Sequence, residues 1–100
     1  MNMTPEDVVA ERELEFTASD GSKQPVAVRL GKPRHELGGP WFCAYAIECA
    51  SFRREFRTAG EVSMQALLLA RYTLVVELEV LAKDHHGFFT WFGEANLGFS

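Results

Sequence analysis

The amino-acid sequence predicts an α+β fold, in which an antiparallel sheet of four to five strands, mostly a meander, carries one long helix on one face. Three observations lead to this prediction. Residues 11–30 alternate between apolar and polar side chains, the pattern of half-buried strands. Residues 41–57 contain further segments of the same alternating kind. Residues 63–84 are instead rich in Ala, Leu, Gln and Glu and repeat apolar residues every three or four positions, which is typical of a helix.

The composition indicates one globular domain over residues 1–100. The chain is 47% hydrophobic and 24% charged, which suits a single core. Its net charge of -4 disfavours nucleic-acid binding, because phosphate contact depends on clustered Lys and Arg. Apolar runs such as 66–70 are too short to cross a membrane, and the acidic first fifteen residues contain no secretory signal. We therefore expect a cytoplasmic protein with no nucleic-acid, membrane or cofactor partner.

The first two strands are expected to form a hairpin across the turn-forming residues 19–22. A two-residue loop would place their apolar side chains on opposite faces. An odd-numbered loop, such as 20–22, or a bulge near Pro25 avoids this conflict. Such a loop pairs Leu14 with Val28 and sets Glu13 opposite Arg29.

The later strands follow a loop at 31–40 that is rich in Pro and Gly. Alternation predicts a third strand over 41–50 and a shorter one over 52–57, although Ala50-Ser51 is a poor turn and the two could be one bent strand. A last strand is predicted over 88–92. Two terminal segments complete the domain, a frayed start at 1–9 and a C-terminal tail at 93–100.

The helix is expected to begin after Ser63 as N-cap and to end near Asp84, with Gly87 as its left-handed cap. One stripe of side chains should cover the sheet. Its central members are Leu67, Ala70, Leu74, Leu78 and Leu81, and it is widened by Met64, Leu68, Val75 and Ala82.

A second apolar stripe, formed by Leu69, Tyr72, Val76 and Val80, falls outside this face. One helix on one sheet needs only one apolar face, so something should cover the second. The cover could be a terminal segment of the chain, a second copy in a homodimer, or another protein. The first functional hypothesis is therefore a non-enzymatic interaction protein, either a homodimer or an inhibitor of another protein, that uses this second stripe or the outer face of the sheet.

The second hypothesis is a small-ligand binder or enzyme with a pocket between the 31–40 loop, Trp41, and His85 and His86 at the helix end. No catalytic residues are assigned, because no nucleophile motif is present. No metal ligands are assigned, because no spacing typical of zinc ligands occurs. The two cysteines, Cys43 and Cys49, are too far apart in an extended strand for a disulfide and indicate a reducing compartment.

Five segments spread over most of the chain are Glu11-Arg12-Glu13-Leu14, Val28-Arg29-Leu30-Gly31-Lys32-Pro33, Trp41-Phe42-Cys43-Ala44-Tyr45, Gln65-Ala66-Leu67-Leu68-Leu69-Ala70 and Leu97-Gly98-Phe99. Together they resemble a family of small bacterial proteins with a domain of unknown function. The resemblance implies a bacterial cytoplasmic α+β protein and supplies no catalytic residue. The order of elements is also similar to that of immunity proteins that neutralise polymorphic toxins, a likeness of architecture that assigns no function.

Overall fold

The computed structural model describes residues 7–99 and confirms the α+β class, with one helix and an antiparallel sheet. Within these residues the sheet has six strands, not four to five. The elements in chain order are β1 (Val8–Ala18), β2 (Lys23–Gly31), β3 (Arg34–His35), β4 (Trp41–Glu48), β5 (Arg53–Gly60), α1 (Ser63–Asp84) and β6 (Gly87–Thr90).

The unpredicted strand is β3, which lies inside the segment 31–40 that the sequence indicates as a loop. Its two residues pair with Phe42 and Trp41 of β4. Because β5 occupies one edge of β4 along its whole length, β3 must share the other edge with β2. It therefore extends β2 beyond the break at Pro33, and two residues are too few to show an alternating pattern in the sequence.

Strands β1, β2, β4 and β5 form the meander, and α1 then carries the chain back across the sheet. At the far edge β6 pairs with residues 15–18 of β1. Strand β1 begins at Val8, three residues before the predicted start. Of the predicted frayed start at 1–9, residues 1–6 lie outside the described part of the chain.

The first hairpin has an odd, three-residue loop, Ser19–Gly21, which confirms the predicted loop class. The Ala18 amide donates to the Ser22 carbonyl over 2.9 Å, and Gly21 takes a φ of 87°, as a three-residue hairpin requires. The predicted pairing was wrong by two residues. Leu14 lies opposite Val26, not Val28, because the loop closes one residue earlier than expected. Each side chain keeps its predicted face, since a shift of two preserves the alternation.

Strands β4 and β5 are two separate strands joined by a tight turn, so the single bent strand does not occur. The Cys49 amide donates to the Phe52 carbonyl over 2.9 Å and closes this turn. Strand β5 continues to Gly60, three residues beyond its predicted end. A side chain at Gly60 would lie 2.7 Å from the Ala66 amide nitrogen, so the absent Cβ lets α1 pack closely on the end of β5.

The helix spans Ser63–Asp84 as expected, but both of its caps differ from the prediction. Val62 is the N-cap and makes no side-chain cap bond, whereas the Gln65 side chain accepts a hydrogen bond from the Glu61 amide over 2.6 Å. At the other end His86, with a φ of 52°, takes the left-handed conformation expected of Gly87. Glycine is needed at 87 because a Cβ there would fall inside the van der Waals envelope of the Phe16 ring and the Thr17 carbonyl oxygen.

The core lies between α1 and the inner face of the sheet. The helix contributes Ala66, Ala70, Leu74, Leu78 and Leu81. The sheet contributes Leu14, Phe16, Val26, Val28, Cys43, Tyr45, Ile47 and Phe89. Leu67 and Ala82 pack at the margin, but Met64 and Leu68, which were assigned to the core side, are exposed.

The C-terminal tail packs on the domain as a strap. Strand β6 ends at Thr90, and Leu97 and Phe99 lie half-buried against the core. The Arg12 guanidinium donates to the Leu97 carbonyl over 2.7 Å and lies 4.1 Å from the Trp91 ring centre and 4.8 Å from that of Phe99. Arg71 donates to the Phe99 carbonyl over 2.6 Å. Two arginines therefore hold the tail in place.

Candidate functional site

The outer face of α1 carries a row of exposed apolar side chains opposite the buried stripe. Tyr72 is 65% exposed and Val76 and Val80 are 40% and 45% exposed, with Leu69 beside them. Met64 and Leu68 continue the same line toward the start of the helix. We call the five residues at four-residue steps, Met64, Leu68, Tyr72, Val76 and Val80, the apolar row.

Sequence reasoning found the second half of this row and misplaced the first half. Met64 and Leu68 lie at the border between the two faces on a helical projection, and the width of the buried stripe decides their side. Ala66 is fully buried in their place, because α1 passes very close to the end of β5 at Gly60. The four-residue spacing from Met64 to Val80 is the signal that could have identified the whole row.

Residues 7–99 do not cover the apolar row. The tail docks on a different side of α1, where Leu97 and Phe99 line a cavity with Val75 and Leu78. The start of β1 runs along the sheet, on the other side of the core. Within the described residues, the terminal segments therefore leave the outer face of α1 open.

The structure separates the three residues of the predicted pocket. Trp41 pairs with Gly60 and stacks on His35 at a ring distance of 4.9 Å, close to the start of α1. His85 and His86 follow the end of α1, which is about 33 Å long for its 22 residues. The His85 ring contacts Phe52 at 4.7 Å, and His86 lines a shallow depression elsewhere. Trp41 and the two histidines therefore lie near opposite ends of α1.

A cavity of about 400 Å³ lies instead beneath the C-terminal tail. Its walls are mainly the apolar side chains of Val75, Ala82, Phe88 and Leu97. Glu79 and Asn96 contribute polar groups at its border. Sequence reasoning missed this cavity because it exists only where the tail folds back on the helix.

The thiol and phenol groups of the core are held in their neutral forms. Burial raises the pKa of the Cys43 thiol, so little thiolate is present at neutral pH. Burial, together with the charge of Glu77, raises the pKa of Tyr45. Among residues 7–99 no group of three or more His, Cys, Asp and Glu is arranged to hold a metal ion.

Comparison with known proteins adds one match. A family model described as a domain of unknown function, DUF6968, matches residues 10–100. No curated protein and no solved structure matches the chain. Within residues 7–99, no helix is both long and apolar enough to cross a membrane.

Proposed function

We propose that this chain, which belongs to the DUF6968 family, a domain of unknown function, is a protein-interaction module. It forms a homodimer through the outer face of α1. The observation that carries the proposal is the exposed apolar row. A helix that is apolar on opposite sides is usually buried on both. Contiguous exposed apolar patches on soluble proteins commonly mark interaction sites.

A second copy of the chain suits this face because the row is symmetric about its centre. In an antiparallel two-fold arrangement about Tyr72, Met64 meets Val80 of the other copy and Leu68 meets Val76. Tyr72 meets its own counterpart. Rows at four-residue spacing are the ridges by which helices pack into each other's grooves. A two-fold interface requires this kind of self-complementary surface.

The charges at the two ends of the row complement each other in the same arrangement. Glu61 lies just before α1 and Lys83 lies in its last turn, and both are exposed. The antiparallel arrangement places Glu61 of one copy toward Lys83 of the other. A parallel arrangement would bring like charges together at both ends, which is unfavourable. Charge therefore supports the antiparallel dimer.

The edge of the sheet at β5 is a poorer place for a second copy. Strand β5 forms this edge and carries Arg53, Arg54 and Arg57. Charged side chains on an edge strand oppose pairing with another strand. The helix face is therefore the better interface.

We further propose that this dimer works in a reducing bacterial cytoplasm. Cys43 and Cys49 are both free thiols, as is usual in reducing compartments. The bacterial setting is what the five resembling segments imply. An immunity-type inhibitor would use the same face of α1 for a different protein.

The test is the molar mass in solution, measured by light scattering after size exclusion at several concentrations. The wild type should show about twice the 11.2 kDa of one chain. The double variant Tyr72→Glu, Val76→Glu should show one chain, because it brings four carboxylates together at the dyad. Four uncompensated charges should raise the dimer dissociation constant roughly 100-fold or more, equivalent to about 2.7 kcal/mol.

The matched control is Leu37→Glu, which also replaces a fully exposed apolar residue with a carboxylate but lies in the loop before β4. It should keep the wild-type mass. A wild type that stays at one chain mass at roughly 100 µM would refute the homodimer, because an interface of standard size should hold at that concentration. In that case the outer face of α1 would instead bind a different protein, as an inhibitor does.

A further inference from the structure

The outer face of the sheet, on the side away from α1, contains a polar cleft of about 500 Å³. Its floor is Ala46, which is only 6% exposed although it points away from the core. Around this floor stand the charged side chains of Glu11, Arg29, Glu48, Arg53 and Glu55, with Val8 at one end. Three carboxylates against two guanidinium groups leave an excess of one negative charge.

All three carboxylates in the cleft are paired with arginines, but Arg53 serves two of them. Glu11 lies 3.6 Å from the Arg29 Nε, and Glu48 lies 3.3 Å from the Arg53 Nε. The third carboxylate, Glu55, accepts one hydrogen bond at its Oε2 from the Arg53 Nη2 over 2.9 Å. One guanidinium therefore faces two carboxylates, and the excess negative charge of the cleft is shared between Glu48 and Glu55.

The Glu55 side chain is only 10% exposed, and its Oε1 is buried without a hydrogen-bond partner among residues 7–99. A buried carboxylate oxygen with no donor destabilises a fold, because it has lost water and gained nothing in return. A ligand that brings an N–H donor and a positive charge would compensate for this loss. We propose that the cleft binds an organic cation, a guanidinium or primary ammonium group, through Glu55.

The arrangement fits a group of this size and charge. The walls are supplied by exposed ion pairs, which contribute little stability and can rearrange. Arg53 in particular is 54% exposed in its side chain, so it can move away from Oε2 and leave the Glu55 carboxylate to an incoming cation. Val8 and Ala46 provide apolar surface for the carbon atoms that carry the cationic head. A guanidinium is favoured over an ammonium because its planar fork can contact both oxygens of one carboxylate.

The site is independent of the proposed dimer, because α1 covers the other face of the sheet. The cation could be a free small molecule or the side chain of an arginine or lysine in another protein. Both share the chemistry that Glu55 recognises. The experiment uses one probe of each kind.

Binding would be measured by amide chemical shifts of the full chain during titration with methylguanidinium, n-butylammonium, and a capped tripeptide with a central arginine. N-methylurea serves as the neutral probe. Saturable shifts should centre on Ala46 and Glu55 for the cations and be absent for N-methylurea. A tripeptide bound at least tenfold more tightly than methylguanidinium would assign the site to a protein side chain, and equal affinities would assign it to a free cation.

Glu55→Gln keeps the shape but removes the charge and should weaken binding at least tenfold. Ala46→Val fills the floor beside Glu55 but leaves that residue itself in place. It should also weaken binding, which covers the case of a Glu55 variant that does not fold. Glu13→Gln, on the same face but outside the cleft, should bind like wild type. The proposal is overturned if no cation gives saturable shifts or if Glu55→Gln and Ala46→Val bind as tightly as wild type. The molar mass of each variant reports separately on the dimer.

Discussion

At the junction between α1 and β6, substitutions at two neighbouring positions should change the free energy of unfolding in opposite directions. Gly87→Ala would place a Cβ against the Phe16 ring and the Thr17 carbonyl oxygen. Neither neighbour can move easily. Phe16 is 2% exposed and packs edge-on against Phe52 at 5.5 Å, and the carbonyl belongs to the backbone of β1. The variant must therefore separate β6 from β1 or displace the ring.

The expected cost follows from two opposing terms. Overpacking of this kind costs about 1–3 kcal/mol. Replacing glycine by alanine returns about 0.4–1 kcal/mol by restricting the unfolded chain. The free energy of unfolding should thus fall by about 1–2 kcal/mol. With a urea slope of roughly 1–2 kcal/mol/M, the unfolding midpoint should drop by about 1 M.

Two further variants measured in the same urea titrations separate close packing from a capping role. Gly39→Ala has only Glu36 atoms nearby, at 3.7 and 3.8 Å, and Gly39 is not left-handed, so its midpoint should stay or rise. His86→Gly should raise the midpoint. Glycine removes the strain of the left-handed conformation, about 1–2 kcal/mol, and the greater freedom that it gives the unfolded chain cancels only part of this gain. An unchanged Gly87→Ala midpoint, or a lower His86→Gly midpoint, would refute the reasoning.

Other predictions test the core, the thiols and the first turn. Leu74→Ala should lower the free energy of unfolding by about 3–5 kcal/mol in urea titrations, because this side chain is fully buried. Leu69→Ala should change it by less than about 1 kcal/mol, because Leu69 is exposed. Equal effects would contradict the assigned helix faces. Iodoacetamide should modify Cys49 in the native protein and leave Cys43 unmodified, because burial shields the Cys43 thiol and raises its pKa. In urea both cysteines should react. Mass spectra that show label on Cys43 of the native protein would contradict this. Hydrogen bonds from the Ser22 hydroxyl and the Ser22 amide lower the pKa of Asp20 below its ordinary 3.8. The contribution of Asp20 to stability is therefore present above pH 3.8 and is lost as the pH falls through the lowered pKa. Urea midpoints of wild type and Asp20→Ala should therefore converge in acid, and a gap that stays constant down to about pH 2 would disprove the turn's role.

The elements themselves could be read from the sequence because their signals are local. Alternation along β1 and β2 indicates both the strands and the face that each side chain takes, and three- and four-residue spacing gives the bounds of α1. The odd loop of the first hairpin followed from requiring the apolar faces to match. The predicted position of that loop was one residue too late, although Gly21 carries the signal for it. A three-residue hairpin loop ends on a left-handed residue, which places the loop at Ser19–Gly21.

The candidate surfaces were partly predictable. Leu69, Tyr72, Val76 and Val80 follow from helical spacing alone, and the structure leaves them exposed. The cleft around Glu55 could not be predicted, because its residues come from four strands that are separated along the chain. The spatial separation of Trp41 from His85 and His86 was equally hidden, since it depends on the direction in which β4 runs beneath α1.

By itself, the sequence indicated the strand-forming segments other than β3, where the helix begins and ends, and that the helix is apolar on two sides. Only the tertiary structure decided that β6 returns to pair with β1, that β3 extends β2, and that Gly87 serves close packing instead of a cap. The physical reason is the range of the interactions. Periodicity and turn chemistry act over a few residues, whereas strand order, register and close approach arise between residues that are distant in sequence and meet only when the sheet has closed on the helix.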